Sequence, residues 1–315
     1  MKEIHFNLKD YIFLRSNKLL ENIQNLKDID FVNSKQIYFI TKIKKIRFKK
    51  KSLSIGLNYN FKGSIYIGND EYNFNISLLD YFNFLWSQKN KEYILPQKII
   101  QKIYECKFKI KVINTLCSKY KFYKDFKIEN INNKTIIFTS NLLSVLTKGE
   151  TNELPIYSEN FIGYLIDKKY IQINNFYNKL IYIGKSKNII SRTSNHNQCL
   201  QFYNQLEDDQ ELLFYLIDFT IHQRIFNPNM LVQEKKLSKL DIDFIEARLI
   251  NYFKPVTNTI YKDTSHILKT KKFKSYYHNN QFDYIYIGIE TDNIMSKFGN
   301  EHIQAKNIHL VCDKI

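Results

Sequence analysis

Glycine, proline and tryptophan are scarce in this 315-residue chain, with eight, four and one copies respectively. That scarcity excludes a collagen-like or linker-like polypeptide, and a hydrophobic content of 44% excludes wholesale disorder. Cysteine is nearly as rare. Cys106, Cys117, Cys199 and Cys312 form no CxxC pair and no other zinc-ligand spacing. They read as free thiols of a reducing compartment, so the expected location is the cytoplasm. No apolar run approaches the roughly 18 residues expected of a membrane span. Met1-Lys2-Glu3-Ile4-His5 leads into an amphipathic stretch rather than a signal-peptide core. A membrane is therefore not an expected partner.

Lys, Asn, Ile, Tyr and Phe are abundant, as in proteins from genomes rich in A and T. The distribution of charge says more than the net value of +16. Residues 1–150 carry 27 Lys+Arg against 13 Asp+Glu, whereas residues 151–315 carry 20 against 18. A basic half beside a nearly neutral half fits a nucleic-acid enzyme that separates grip from chemistry.

Alternating patterns predict strands over 36–40, 42–50, 54–59 and 63–68, and helices near 78–88 and over 96–111. In the second strand, Lys42, Lys44, Lys45, Arg47, Lys49 and Lys50 surround Ile43 and Ile46, a pattern expected of a DNA-binding surface. Residues 120–127 interleave aromatics with lysines, which suits either base stacking or the edge of a core element. The polar stretch 147–153 is the expected domain boundary. The tail has a basic run, Lys269, Lys271, Lys272 and Lys274, of which Lys271 and Lys272 are expected on DNA, and a predicted strand over 284–289.

Tyr-Ile-Gly begins at Tyr66, Tyr182 and Tyr286. Only the middle copy has informative neighbours. Ile162-Gly163-Tyr164-Leu165-Ile166 precedes it, in a predicted strand over 161–167. Tyr182-Ile183-Gly184-Lys185 is followed by Arg192 and His196, then by Glu246 in an apolar-periodic segment, then by Pro255 and Asn258. In this order the residues resemble the GIY-YIG nuclease superfamily, over about a third of the chain. The family pattern is a tyrosine-bearing first strand, a hairpin to the YIG strand, a helix with Arg and then His or Tyr, and a second helix with a metal-binding glutamate. Gly163 stands directly before Tyr164 and not two residues before it, and the insert over 167–179 is long for such a hairpin.

The implied fold is α+β. A GIY-YIG domain, a small antiparallel sheet flanked by helices, is expected over 151–262. A mixed α/β basic domain over 1–150 would precede it, and a basic, strand-bearing extension over 263–315 would follow.

The residues suit the chemistry on their own terms. Arg192 and His196, four apart, share one face of a helix that begins near 185–188, where free N–H groups favour an anion. A second helix starting at Ser238, with Asp241 completing a capping box, places Ile242, Ile245, Leu249 and Phe253 in one stripe. Glu246 lies at the edge of that stripe, where a carboxylate needs either a cationic partner, Arg248 or a lysine, or a metal. The metal reading makes Glu246 the ligand of Mg2+ or Mn2+. Arg192 would hold non-bridging phosphate oxygens. Tyr164 is the preferred general base, with Tyr182 and His196 as alternatives. A tyrosine near its ordinary pKa of about 10 serves at neutral pH only beside a cation such as Lys185 or the metal. Asn258 is expected to bond backbone or a catalytic tyrosine. The remaining histidines show no metal-like spacing.

The expected activity is Mg2+-dependent endonucleolytic cleavage of double-stranded DNA, most simply by a type II restriction enzyme. Homing, repair or structure-selective nucleases of the same superfamily are alternatives, and a catalytically inactive DNA-binding protein is an alternative of another class. Cutting two strands with one site per chain calls for a homodimer or transient pairing on DNA.

Overall fold

The computed structural model describes residues 2–15, 37–56, 60–78, 127–130, 132–139, 153–173, 176–186, 197–225, 233–235, 237–260, 273–275, 281–291 and 297–314, with single positions between them. The protein is a mixed α+β structure, mostly sheet, whose described elements include the α-helices Ser158–Asp167, Asn197–Asn204 and Lys239–Phe253. It divides into two compact units. Unit 1 comprises Met1–Ile43 and Tyr177–Ile315, and unit 2 comprises Lys44–Phe176.

Unit 1 is built on an eight-stranded sheet. Its strands are β1 (Lys2–Arg15), β2 (Ile37–Lys44), β10 (Asn178–Lys185), β11 (Gln210–Ile225), β12 (Gln233–Lys235), β13 (Tyr284–Glu290), β14 (Phe298–Gly299) and β15 (Ile308–Lys314). The order is β14-β10-β2-β11-β1-β13-β15, with β12 on β11. The sheet is mixed: β1 runs antiparallel to β11 but parallel to β13. The long partners β1 and β11 stay in register until a bulge between Leu8 and Asp10. Alternation along β13 turns Ile285, Ile287 and Ile289 inward, whereas β2 is buried on both faces from Ile37 to Thr41.

Helix α3 (Lys239–Phe253) covers part of this sheet. Ser238 caps it, and the reciprocal bonds with Asp241 form the expected capping box. Ile245, Leu249 and Phe253 are wholly buried and Ile242 nearly so. Each such side chain stabilises by about 1.5–3 kcal/mol. Phe253 meets Phe39 edge-on across the helix–sheet interface, with centroids 6.0 Å apart. The helix ends at Lys254, whose left-handed φ of 49° lets Pro255 lead the chain away. On the other side, helix α2 (Asn197–Asn204) contributes Phe202 to a cluster with Tyr38, Ile40, Ile181, Phe214 and Leu216.

Unit 2 holds two smaller antiparallel sheets. The first consists of β3 (Ile46–Phe48), β4 (Ser54–Ile55), β5 (Asn60–Ile67) and β6 (Asp70–Ser77). The second consists of β7 (Lys127–Asn130), β8 (Thr135–Thr139) and β9 (Glu153–Tyr157). Helix α1 (Ser158–Asp167) follows β9, and its Phe161 packs among Phe48, Phe61, Phe74 and Tyr81.

Several expectations need correction. The sheet of unit 1 is neither small nor purely antiparallel, because β1, β13 and β15, from segments assigned to flanking domains, complete it. The units do not part near residues 150 and 262. The chain leaves unit 1 after β2 and returns at β10, so unit 2 is an insertion between two paired strands. The predicted strand over 42–50 is two strands in two sheets, interrupted at Lys45. The predicted strand over 161–167 is part of helix α1. Its apolar run, with Phe161, Ile162, Tyr164 and Leu165 all buried, fits a buried helix as well as a strand, and periodicity cannot separate the two. The predicted helix over 96–111 lies outside the described residues, as do most of 78–88 and of 120–127.

Candidate functional site

Strand β10 carries Tyr182, Ile183, Gly184 and Lys185, and its antiparallel neighbour is β2. Tyr182 stands opposite Ile40, Gly184 opposite Tyr38, and Lys185 opposite Ile37. Tyr38 and Tyr182 therefore share one face of the sheet, with ring centroids 5.9 Å apart. Phe202 lies 5.9 Å from the Tyr182 ring on the same side. Gly184 makes this packing feasible: a Cβ there would fall 2.6 Å from the Tyr38 hydroxyl and 2.8 Å from the Tyr182 ring. Any side chain at this position would push the tyrosines apart.

Lys185 and Ile183 point to the opposite face, where α3 lies. The Lys185 ammonium donates to Glu246 and, at 2.9 Å, to Asp243. The two acids are three residues apart and therefore neighbours on the helix surface. The trio is mostly enclosed, with side-chain exposures of 34% for Lys185, 11% for Asp243 and 13% for Glu246. Burial lifts the Glu246 carboxyl above its ordinary range, with Lys185 pulling the other way. Burial alone would lower the Lys185 pKa, but its bonds to Glu246 and Asp243 outweigh that and raise it. Arg248 is not the partner of Glu246. It is bound bidentately to Asp313 of β15, with Nε donating at 2.5 Å, and so ties α3 to the carboxy-terminal strand.

Asn258 secures the outer edge of β10. Its side chain accepts from the Ile183 N–H at 3.0 Å and donates to the Ile183 carbonyl at 2.8 Å. The backbone role expected for this residue is the one it plays.

The expected first tyrosine stands on a helix and not on a strand. Tyr164 belongs to unit 2, on α1, buried among Tyr81, Phe84 and Tyr170 with centroids 4.9, 5.0 and 5.7 Å away. Burial drives its phenol far above the ordinary range, which is the opposite of what a general base needs. The tyrosine on the strand paired with β10 is Tyr38, which sequence reasoning missed. Its signal was present in Ile37-Tyr38-Phe39-Ile40, a predicted strand, but nearly 140 residues separate Tyr38 from β10.

Arg192 and His196 lie outside the described residues, as do Lys271 and Lys272. Of the proposed grip residues, Lys42 bonds the Gln205 carbonyl, Lys44 faces Asp70 at 3.6 Å, Arg47 bonds the Gly68 carbonyl, and Lys49 chelates Glu71. Lys45 also has an interaction, while Lys50 is exposed in a short 3-10 turn. Lys42 belongs to unit 1 and the others to unit 2.

Among the described residues, no group of three or more His, Cys, Asp and Glu side chains is arranged to hold a metal. Glu246 and Asp243 do supply hard oxygen donors at a place where a cation, the Lys185 ammonium, already sits. A single Mg2+ or Mn2+ on Glu246 would need water to complete its shell, with substrate oxygens replacing some of those waters once DNA is bound. No described helix is long and apolar enough to cross a membrane. Comparison with family models, with curated proteins and with solved structures gives no match.

Proposed function

We propose that this chain is a Mg2+- or Mn2+-dependent endonuclease of the GIY-YIG kind that hydrolyses phosphodiester bonds in duplex DNA, most simply as a site-specific restriction enzyme. The observation that carries this reading is the antiparallel pairing of a tyrosine strand with the Tyr182-Ile183-Gly184 strand, whose terminal Lys185 contacts Glu246 of α3. Pro255 and Asn258 come next in the expected order. In this version Tyr38 takes the part first given to Tyr164.

Glu246 would hold the metal, which supplies polarisation of the phosphate and stabilisation of the departing oxygen. Lys185 adds a second positive charge at the end of β10. Arg192 would neutralise the non-bridging oxygens. The tyrosines and Glu246 occupy opposite faces of the sheet, so the scissile phosphate would have to sit over the Gly184–Lys185 end, where both faces are within reach. Tyr182 is the more accessible of the paired tyrosines, with Tyr38 against its ring. It would accept the proton only with a cation brought beside it, which the metal-bound phosphate over the Gly184–Lys185 end would have to supply. One site per chain implies that two copies act on the two strands.

Nicking of a supercoiled plasmid with Mg2+ tests this reading. Glu246→Gln should slow cleavage by about a thousandfold or more and leave DNA binding intact. Tyr182→Phe should slow it by about a hundredfold or more. Tyr164→Phe should leave the rate near that of the wild type. A wild-type chain that binds DNA and never cuts it would favour a second reading, a silent binding module in which Lys185 permanently neutralises Glu246.

A further inference from the structure

Asp243 has no role in the resemblance, yet it shares the Lys185 ammonium with Glu246. We infer that Asp243 is a positioning residue that holds Lys185 at the end of β10 and thereby releases Glu246 to a divalent cation. This rests on the nuclease reading of Glu246 but makes a separate claim about the lysine.

The argument is one of charge and reach. Lys185 has one ammonium and two carboxylates within bonding distance, with Asp243 Oδ1 at 2.9 Å. Asp243 and Glu246 project from one face of α3, and both are nearly enclosed. A divalent ion on Glu246 would repel the ammonium. With Asp243 present, Lys185 keeps a carboxylate partner and stays close to the site. Without it, Glu246 is the only one of these two acids left to the ammonium, so lysine and metal compete for a single group. Asn258 holds the Ile183 backbone two residues before Lys185, so the stem of the lysine is fixed and the position of its flexible ammonium is set by its carboxylate partners.

The measurement is Mn2+ binding to the full-length protein without DNA, read from the loss of the free-ion signal in electron paramagnetic resonance. Asp243→Asn should raise the half-saturating Mn2+ concentration by about tenfold. In a Lys185→Met background the same substitution should change it by less than about threefold, since the competitor is gone. Direct attraction between Asp243 and the metal would instead give an equal or larger effect in that background, and this outcome overturns the inference. Asp243→Glu keeps the charge and should bind Mn2+ within about twofold of the wild type. It carries the test if Asp243→Asn does not fold, and weakened binding by it counts against the proposal. Failure of the wild type to bind Mn2+ also overturns it. Plasmid cleavage by the same preparations separates the two claims. Cleavage without the coupling pattern leaves the nuclease reading standing and removes this one, and the pattern without cleavage does the reverse.

Discussion

The two units treat charge differently. Unit 1 carries 25 Lys+Arg against 20 Asp+Glu; beside the surface pair Lys179–Glu301 it has enclosed ones, Arg248 with Asp313, and Lys185 with Asp243 and Glu246. Unit 2 carries 22 against 11, and its pairs Lys44–Asp70 and Lys49–Glu71 stand at the surface, Glu159 being a buried exception. Enclosed pairs fix geometry and are costly to break, whereas surface pairs contribute little. An excess of surface charge acts instead at long range on a polyanion. Under the proposed nuclease reading, this contrast would give chemistry to unit 1 and attraction to unit 2.

The sharpest way to break that contrast is to remove a buried charge. Arg248→Ala strands the Asp313 carboxylate, which burial already pushes above its ordinary range against the pull of Arg248. The loss should be about 3–5 kcal/mol, measured as a fall in the denaturant midpoint. Lys44→Ala, which removes a pair whose side chains are 55% and 64% exposed, should cost well under about 1 kcal/mol. Comparable losses at both places would mean that the units do not differ as described.

Acid should also separate them. His309 is 1% exposed, and burial holds its pKa at about 4 against an ordinary 6.5, with Lys306 acting in the same direction. Its Nε2 lies 3.1 Å from the Phe298 carbonyl and 3.0 Å from that of Lys306, and Nδ1 faces the Tyr252 hydroxyl. Such partners suit a neutral ring that donates from Nε2. Between the two values the unfolded chain takes up a proton that the folded chain refuses. The stabilisation is therefore complete above pH 6.5 and is lost as pH falls towards about 4, in total roughly 3 kcal/mol at 1.36 kcal/mol per unit. Hydrogen exchange followed from pH 7 to 4 should show β15 and α3 losing protection before β5 and β6. Equal loss in both units would remove His309 as the cause.

Local features were legible in the sequence, and pairings across long distances were not. The α3 capping box, its apolar stripe and the β13 strand depend on neighbours a few residues apart, and each was predictable from spacing. Lys185, Glu246 and Asn258 were legible as spatial neighbours because they follow one another within 74 residues on elements that pack together. The partner of β10 was hidden because loop closure depends only weakly on loop length, so a whole unit can be inserted between Ile43 and Tyr177 without leaving a local signature. Tyr164 was attractive as a site residue because it was near in sequence. Its burial among aromatic rings is a tertiary fact with no counterpart in spacing. Asp243 was read only as part of a helical segment, because nothing local distinguishes a solvated acid from one that shares a lysine with its neighbour.

The smallest expected effect addresses unit 2 directly. Lys50 and Lys51 are exposed in the turn between β3 and β4, whereas Lys49 beside them is occupied by Glu71, a contact that raises the lysine pKa. A cation already neutralised within the protein releases few counterions from DNA, so exposed lysines should dominate the salt dependence of binding. If both contact phosphate, changing Lys50 and Lys51 to Ala should reduce the slope of log K against log salt by about 2, or about 0.9 for each contact. Changing Lys306 and Lys314, exposed lysines of unit 1, should leave the slope unaltered. Fluorescence anisotropy with a labelled duplex from low to moderate salt measures both. A slope that responds to the unit 1 pair and not to the unit 2 pair would place the grip on the same unit as the chemistry, and the net charge of unit 2 would then reflect composition alone.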